Sequence, residues 1–570
     1  MAKLNLKQKL SDGVSYVRSY WDKPKEGESV SIKEFLSLGG SAMGIDLMGH
    51  TIAGISFSGG AMIIGMIMGV GIRDSYVIGI IETIIGYILM PFGAFIIDSL
   101  GQLDRKKMRI LHTASLVVLG VALLLWFVPQ SVSAKFDTLV RDLPKHIAIK
   151  LFFTVFSNYL GTYTLRWFGG KYGKFKPFIV LFGVPTLITA SIIVFIPYQA
   201  MNYSTLLIVL HIACSLLGLF SGPFGGNIGS LQAVMTNNPE ERTRIYSLMP
   251  MAQGLLRSIF LIVLPMIAQP FGGQLNIASY RFIIPIVGGA GLLESFLVLN
   301  VKDRVVQAEG HRPDVNIKKA VKEAFTNKYN WIVNISGLFV GFAYANDNAF
   351  NWIMLYGTRL EWMMGLLLNL SYLPATPGNL FTPWLLKRMD KRTALLTVRI
   401  IKTALEVLLA GMLFIQNDMV KVVVFLILSF IGSFINGVDV VISNTINPDI
   451  WDYTQWKTGE RLEASLGLFG YFTTPVGMLL GLITPFILKL FGLVRDWDIM
   501  YDRGIRNQLI SVHMFIAIIG SILALIPFFF YDLTTDKMRK INADLQARAQ
   551  AEAAGNGQAQ QELALEGEES

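Results

Sequence analysis

The sequence lacks most of what catalytic and metal-binding proteins use. Its single cysteine, Cys214, lies in an apolar run. This excludes a disulfide framework, a zinc site and a cysteine-ligated cluster. Six histidines are scattered at no H-E-x-x-H or related ligand spacing, so no metal site is expected. No G-x-x-x-x-G-K-[ST] phosphate loop occurs, which argues against an ATP-driven motor on this chain. No nucleophile–base string and no sizeable extramembrane domain support an enzyme, and no filter-like repeat supports a channel. Charged residues make up 16% of the 570 positions, against about 25% in ordinary soluble domains. The first 33 residues are polar and Lys-containing. They hold no short apolar core before a small-residue cleavage site, so no cleaved signal peptide is expected.

Apolar residues are abundant, at 53%, with 37 Phe and 10 Trp. A soluble protein of this balance could not cover its surface, and a disordered chain would not carry so many aromatics. A helical bilayer span needs about 20 apolar residues. About fourteen apolar stretches can be marked: 43–71, 75–98, 109–128, 148–167, 177–198, 204–233, 247–270, 281–300, 330–356, 362–386, 394–415, 421–447, 463–490 and 508–531. Helices satisfy their own backbone groups, which lipid cannot do.

The net charge of +9 matters less than where the charges lie. Placing both termini in the cytoplasm concentrates Lys and Arg in the inner loops, as the positive-inside bias requires. The expectation is a multi-pass protein of the cell membrane with the following organisation: a cytoplasmic segment 1–33, a bundle of about eight helices over 34–300, a cytoplasmic loop 301–328, a six-helix bundle over 329–531, and a cytoplasmic tail 532–570 with a disordered end. Within the tail, 536–554 is expected to form a short surface helix. Its expected partners are a small-molecule solute and lipid. No nucleic acid and no resident cofactor are expected, and the chain is read as a monomer.

Charges inside spans cost about 2.5–3.5 kcal/mol on insertion scales, so each is a candidate site unless it reaches the interface. Asp98, Glu294 and Arg399 lie near span ends and are expected to snorkel. Lys402 and Glu406 are spaced to pair within their helix. Asp347, in YANDNAFNW, is flanked by Asn346 and Asn348. Asn436, Asp439, Ser443 and Asn447 recur at helical spacing and form one polar stripe. Such a stripe faces a wet cavity or another helix, and an interhelical hydrogen-bond seam is the alternative to a site. Arg257 is a central cation with no local partner, able to neutralise one of these acids or to snorkel. LFSGPFGGNIGSLQ (219–232) offers Asn227 and Gln232 to a cavity, with close helix packing as the alternative. Tyr344, Trp352, Trp362 and Asn379 are candidates for stacking and hydrogen bonding to a sugar, with packing as the alternative.

Four strings in order carry a resemblance: GGKYGKFKPF (169–178), NNPEERTR (237–244), PDIWDYTQWKTGERLEA (448–464) and YDLTTDKMRKINADLQAR (531–548). They are similar to the glycoside–pentoside–hexuronide:cation symporters of the major facilitator superfamily, the group of melibiose permease. The resemblance covers about 148–548. It implies an all-α membrane fold of two bundles with alternating access, here with about 14 helices, twelve plus an extra pair in the first half. It also implies cation-coupled uptake of a glycoside or other small polar solute, and it makes Lys171, Lys174, Lys176, Asp449, Asp452, Lys457 and Arg461 an inner gate.

The glycine-rich opening GGSAMGIDLMGH matches one in melibiose permease whose acid contacts sugar, which makes Asp46 the counterpart. Counting spans back from GKFKP instead gives that role to the helix at 109–128, which has no acid. The family's cation-binding acids align with Thr154, Asn158 and Gly225, and its membrane lysine aligns with Pro475. Neutral oxygens on Thr154 and Asn158 are all that remain there. A proton is therefore favoured over sodium as the coupling ion, carried by Asp347, Asp439 or Asp46. Two other readings stay open: the same fold carrying an amphipathic or lipid-like solute, and a non-transporting membrane receptor or assembly factor.

Overall fold

A computed structural model describes residues 15–57, 62–98, 105–128, 138–173, 175–236, 239–302, 325–344, 356–360, 373–458, 483–490, 498–534 and 536–541, with positions 350, 353, 476–477, 479–480, 492, 543–545 and 547. The described residues are overwhelmingly helical and contain no strand. The principal helices are α1 (Ile32–Ile52), α2 (Ile72–Asp98), α3 (Arg105–Trp126), α4 (Thr138–Thr164), α5 (Lys176–Ile193), α6 (Tyr203–Val234), α7 (Pro239–Ala268) and α8 (Ile277–Asn300). They continue as α9 (Lys328–Tyr344), α10 (Ala375–Leu386), α11 (Lys391–Ala410), α12 (Asp418–Thr458), α13 (Ile483–Leu490) and α14 (Arg503–Leu525).

The helix starts follow from local chemistry. Ser31 and Glu34 form a capping box at α1: the Ser31 hydroxyl accepts from Glu34 N, and Glu34 Oε2 accepts from Ser31 N. The side chains of Asn202 and Asp390 cap α6 and α11 by accepting from Thr205 N and Arg392 N. Proline sits inside α4, α5, α6 and α10, where each removes a ladder hydrogen bond.

Among the described residues, seven helices are long and apolar enough to cross a membrane. The expected count of about fourteen spans is neither reached nor refuted by that number. The first apolar stretch is not one span, however. It divides into the end of α1, a turn, and a π-helical segment Met62–Ile67. The chain reverses near Gly54, whose carbonyl accepts from both Ile63 N and Ile64 N. Apolar residues continue across this break because both arms are buried, so hydropathy alone does not show it.

The chain forms two compact units, one of Met1–His311, Asn346–Asn369 and Leu482–Leu509, the other of Arg312–Ala345, Leu370–Gly481 and Ile510–Ser570. In the first unit, α1 is the central helix and packs on α7, α8 and α6. Its neighbours come close because α1 presents glycines. A Cβ added at Gly291 of α8 would lie 2.6 Å from the Gly44 carbonyl oxygen, and one at Gly44 would overlap the Gly291 carbonyl. Glu294 belongs to this contact. Its carboxylate lies 3.8 Å from where a Gly40 Cβ would stand, so it rests over the glycine face of α1 rather than simply reaching for the interface. By contrast, α2 and α3 pack chiefly on α4. Only 17% of the span in α3 is buried, and Leu116, Leu124 and Phe127 point outward, as expected of a helix facing lipid.

In the second unit, α12 packs on α10 and α11. The tail contributes to this core. Residues 536–541 are helical, and Met538 and Ile541 are buried beside Tyr329 and Ile450. The expected surface helix is thus partly a core element, because its apolar positions lie against α9 and α12. Residues 555–570, expected to be disordered, lie outside the described positions.

The Gly44–Gly291 crossing yields a stability prediction. Gly291→Leu forces the helices apart and should destabilise the protein by about 1–3 kcal/mol, the usual cost of overpacking. A lower thermal midpoint of the detergent-solubilised variant checks it, and an unchanged midpoint contradicts the close packing.

Candidate functional site

The first unit brings together Asp46, His50 and Arg257. Asp46 stands about 21 Å along α1 at 1.5 Å per residue. Arg257 Nη1 of α7 is 3.6 Å from Asp46 Oδ2. His50, one turn on, places Nδ1 3.6 Å from Asp46 Oδ1 and 3.0 Å from the Asp46 carbonyl. That short contact to a carbonyl puts a proton on Nδ1. Asp46 Oδ2 is buried and accepts no hydrogen bond among the described residues. The cation and the acid are therefore near enough to neutralise each other and too far apart to satisfy each other. Gly225 of α6 packs against α1 next to this site, since a Cβ there would touch Ile45 at 3.9 Å.

The second unit holds a larger network. Arg399 of α11 donates from Nε to Asp439 Oδ1 at 3.1 Å, from Nη1 to Ser336 Oγ at 2.6 Å and from Nη2 to Ser443 Oγ at 3.3 Å. Its guanidinium lies 4.4 Å from the centre of the Phe528 ring. Lys402 donates to Asn436 Oδ1 at 3.1 Å and sits 4.5 Å from the centre of the Tyr344 ring. The Tyr344 hydroxyl donates to Glu406 and lies 3.0 Å from Ser521 Oγ.

Two expectations change here. Arg399 does not snorkel but is fastened to the stripe on α12. Lys402 and Glu406 reach different helices rather than serving as an internal pair. The reason is the same for both: Arg399 and Lys402 meet a polar stripe on α12, Glu406 meets Tyr344 of α9, and partners across a helix interface are better placed than lipid headgroups. Asp439, Asn436 and Ser443 face α11. The Asn447 side chain lies outside the described residues, as do Asn346, Asp347, Trp352, Trp362 and the side chain of Asp98.

Other candidates bond locally. Asn227 Nδ2 donates to Pro223 O at 2.6 Å, one turn back along α6. The Asn158 carbonyl accepts from Thr162 Oγ1 at 2.7 Å, and Thr154 Oγ1 donates to Lys150 O at 2.8 Å. Asn379, with its amide nitrogen toward α12, donates to Gly437 O at 2.8 Å and to Ala375 O at 3.3 Å. It therefore stitches the α10–α12 crossing.

Of the expected gate residues, Lys174 and Arg461 lie outside the described positions. Lys171 sits 5.1 Å from the Tyr172 ring centre. Lys176 donates to the Val301 carbonyl. Asp449 is bound at 2.5 Å by Lys391, the first residue of α11. Lys391 is a partner that sequence spacing did not single out, because 58 residues separate the two. Asp449 lies beyond the apolar part of α12, with Asp452 near it and Lys457 further along the same helix. Burial pushes the Asp449 carboxyl above its ordinary value of 3.8. Lys391 lowers it, and Asp452 raises it further.

A family model described as MFS/sugar transport protein matches residues 145–535. The chain belongs to this family. It is a multi-pass secondary membrane transporter of a sugar-like solute, built on the major facilitator fold, and not an enzyme. Among curated relatives, an isoprimeverose transporter of Lactiplantibacillus pentosus is 25% identical over 393 residues, covering 66% of this chain and 78% of the relative. An uncharacterized symporter of Bacillus subtilis is 24% identical over 399 residues, covering 67% and 81%. A glucuronide carrier protein homolog of Escherichia coli is 24% identical over 390 residues, covering 66% and 81%. This agrees with a divergent member of the glycoside–pentoside–hexuronide group. Helices α1, α2 and α3 precede the matched region. Of these, α1 is the one enclosed by α6, α7 and α8, and α2 and α3 are peripheral.

Two predictions follow from the charge geometry. Breaking a buried ion pair by removing one partner costs about 3–5 kcal/mol. Arg399→Met should therefore lower the thermal midpoint sharply, and Arg399→Met combined with Asp439→Leu should recover most of it. No recovery would show that the pair is not acting as a unit. Lys391→Met leaves Asp449 buried without its cation. Because the carboxyl titrates above its ordinary value, the charged form is the costly one, and protonation relieves the cost. The midpoint difference from wild type should be largest near pH 7 and shrink as pH falls through the raised Asp449 value. A difference constant between pH 4 and pH 8 would contradict the assignment.

Proposed function

We propose that the chain carries a neutral glycoside across the cell membrane in symport with a proton, and that Asp46 and Arg257 bind the solute with His50 beside them. One observation supports this most: a buried Asp46 oxygen without a hydrogen-bond donor, 3.6 Å from a guanidinium. A sugar hydroxyl placed there donates to the carboxylate and accepts from the arginine, giving the Asp46 oxygen its donor. The enclosure of α1 by α6, α7 and α8 favours α1 as the counterpart of the sugar-contacting helix in melibiose permease, with α2 and α3 as the extra pair.

The solute class is drawn from the relatives named as an isoprimeverose transporter and a glucuronide carrier homolog. Asp46 favours the neutral sugar, since a uronate would bring a second negative charge to it. The proton is favoured over sodium because Thr154, Asn158 and Gly225 occupy the family's cation positions. Asn158, Thr154 and Asn227 then remain as neutral lining groups.

In this reading transport proceeds by alternating access. Lys171, Lys174, Lys176, Asp449, Asp452, Lys457 and Arg461 form the gate near the cytoplasmic loop 301–328, with both termini on that side. Asp347, Asn346, Asp439 and Asn436 are further polar groups that this reading assigns to the solute or the proton.

The test is uptake of labelled isoprimeverose and of a phenyl glucuronide into vesicles, under imposed proton or sodium gradients. The expected result is isoprimeverose accumulation driven by protons. A hydrogen bond to a charged group is worth about 1.5–3 kcal/mol. Asp46→Asn should thus weaken apparent affinity about 10- to 100-fold, and Arg257→Gln should do the same. Accumulation driven by sodium alone, or unchanged affinity in Asp46→Asn, would contradict the proposal.

A further inference from the structure

The first unit contains a second buried cluster of titratable groups, separate from Asp46. It joins α2, α4 and α6. His146 of α4 and His211 of α6 are both fully buried, with Nδ1 atoms 2.8 Å apart. His211 Nε2 lies 3.3 Å from Glu82 Oε1 of α2, off the line of a straight hydrogen bond. Ser215 Oγ donates to the same Glu82 oxygen at 3.0 Å. His146 Nε2 is buried with no hydrogen-bond partner. The ring of Phe57 stands edge-on to His211 at 5.6 Å.

The charged groups around it come from each packed helix. On α4, Asp142 lies one turn from His146 and is itself bound by Arg141 and Lys145 at 3.4 Å each and by Ser204 Oγ of α6 at 2.5 Å. Lys150 of α4 is close enough to act on Glu82 electrostatically, and Cys214 of α6 adjoins Ser215.

Two ring nitrogens at 2.8 Å share one proton, so the rings are ordered relative to each other. With His146 Nδ1 donating, His211 accepts at Nδ1 and carries its own proton on Nε2, toward Glu82. His146 Nε2 is then a bare lone pair.

We propose that Glu82, His211 and His146 form a reversible proton-storing site. A proton that binds His146 Nε2 releases the Nδ1 proton to His211 Nδ1. His211 in turn passes its Nε2 proton to Glu82 Oε1, after a small rotation that straightens that contact. One proton enters and one carboxylate becomes a neutral acid. No imidazolium remains, and the return path restores each ring. Protonation removes the one net negative charge of the triad from the apolar helix interface. Glu82 belongs to α2, outside the region matching the family model, so the site is assembled by an added helix against two helices of the matched region. As the store of the coupling proton it deepens the proton-symport reading and rests on it.

The experiment uses the full chain in liposomes and has two readouts. Infrared difference spectra between acidic and alkaline buffer should show a protonated-carboxyl band that is absent in Glu82→Gln and shifted in His211→Gln. A spectrum unchanged by Glu82→Gln overturns the proposal without reference to any solute. With labelled isoprimeverose as probe, Glu82→Gln and His146→Gln should keep counterflow exchange within about twofold of wild type, which also shows that they fold. Both should lose at least tenfold in accumulation driven by a pH gradient, and Glu82→Asp should restore part of it at a shifted pH optimum. Undiminished gradient-driven accumulation in both variants overturns the store and leaves proton symport standing. Exchange without any pH-driven accumulation in wild type overturns proton symport, and with it the coupling role.

Discussion

A charge inside a bilayer-spanning helix must find its partner within the protein. Water is absent, and lipid tails offer nothing to an ammonium or a carboxylate. Several described membrane charges of this chain meet that constraint through interhelical contacts. Arg399 meets Asp439, Lys402 meets Asn436, Glu406 meets Tyr344, Arg257 faces Asp46, and Glu82 faces His211. Each of these contacts joins two different helices. The polar groups therefore serve as fasteners first, and any function has to be carried by those whose partners leave something unsatisfied.

That distinction separates the two clusters considered for solute binding. Arg399 spends three donor atoms on Asp439, Ser336 and Ser443, and Ser336 in turn donates to the Ala524 carbonyl at 2.7 Å. Each of those three donor atoms already has an acceptor among the described residues. Asp46 and Arg257 stand further apart, and the acid retains a buried oxygen without a donor. The glycines of α1 are part of the same design. They let α8 pack against the backbone of α1, which brings the helix bearing the acid into the middle of its unit rather than to its rim.

Much of this was readable beforehand. Fourteen apolar stretches, the polar stripe 436-439-443 and the strings around 169–178 and 448–464 led to a helical transporter of the sugar symporter type, and the family match agrees. Asp46 and Arg257 were each singled out, but nothing in their spacing joined them. The Glu82–His211–His146 triad was missed altogether. Its members lie 64 and 65 positions apart in sequence, on three helices, and nothing in the local sequence of any one points to the others. A signal did exist: Glu82 and His211 lie inside apolar stretches and His146 just before one, where a polar side chain gains most from a polar neighbour.

Composition and hydropathy determined that this chain lives in a membrane as helices, because the number and length of apolar runs leave no other way to satisfy the backbone. Its motifs determined the family, because they lie in loops whose residues are local in sequence. Which helix is central, which pair is peripheral, and which charges face each other were decided only by tertiary packing. Those choices depend on close contacts such as Gly44 against Gly291. Contacts between residues hundreds of positions apart leave no periodic trace in either segment.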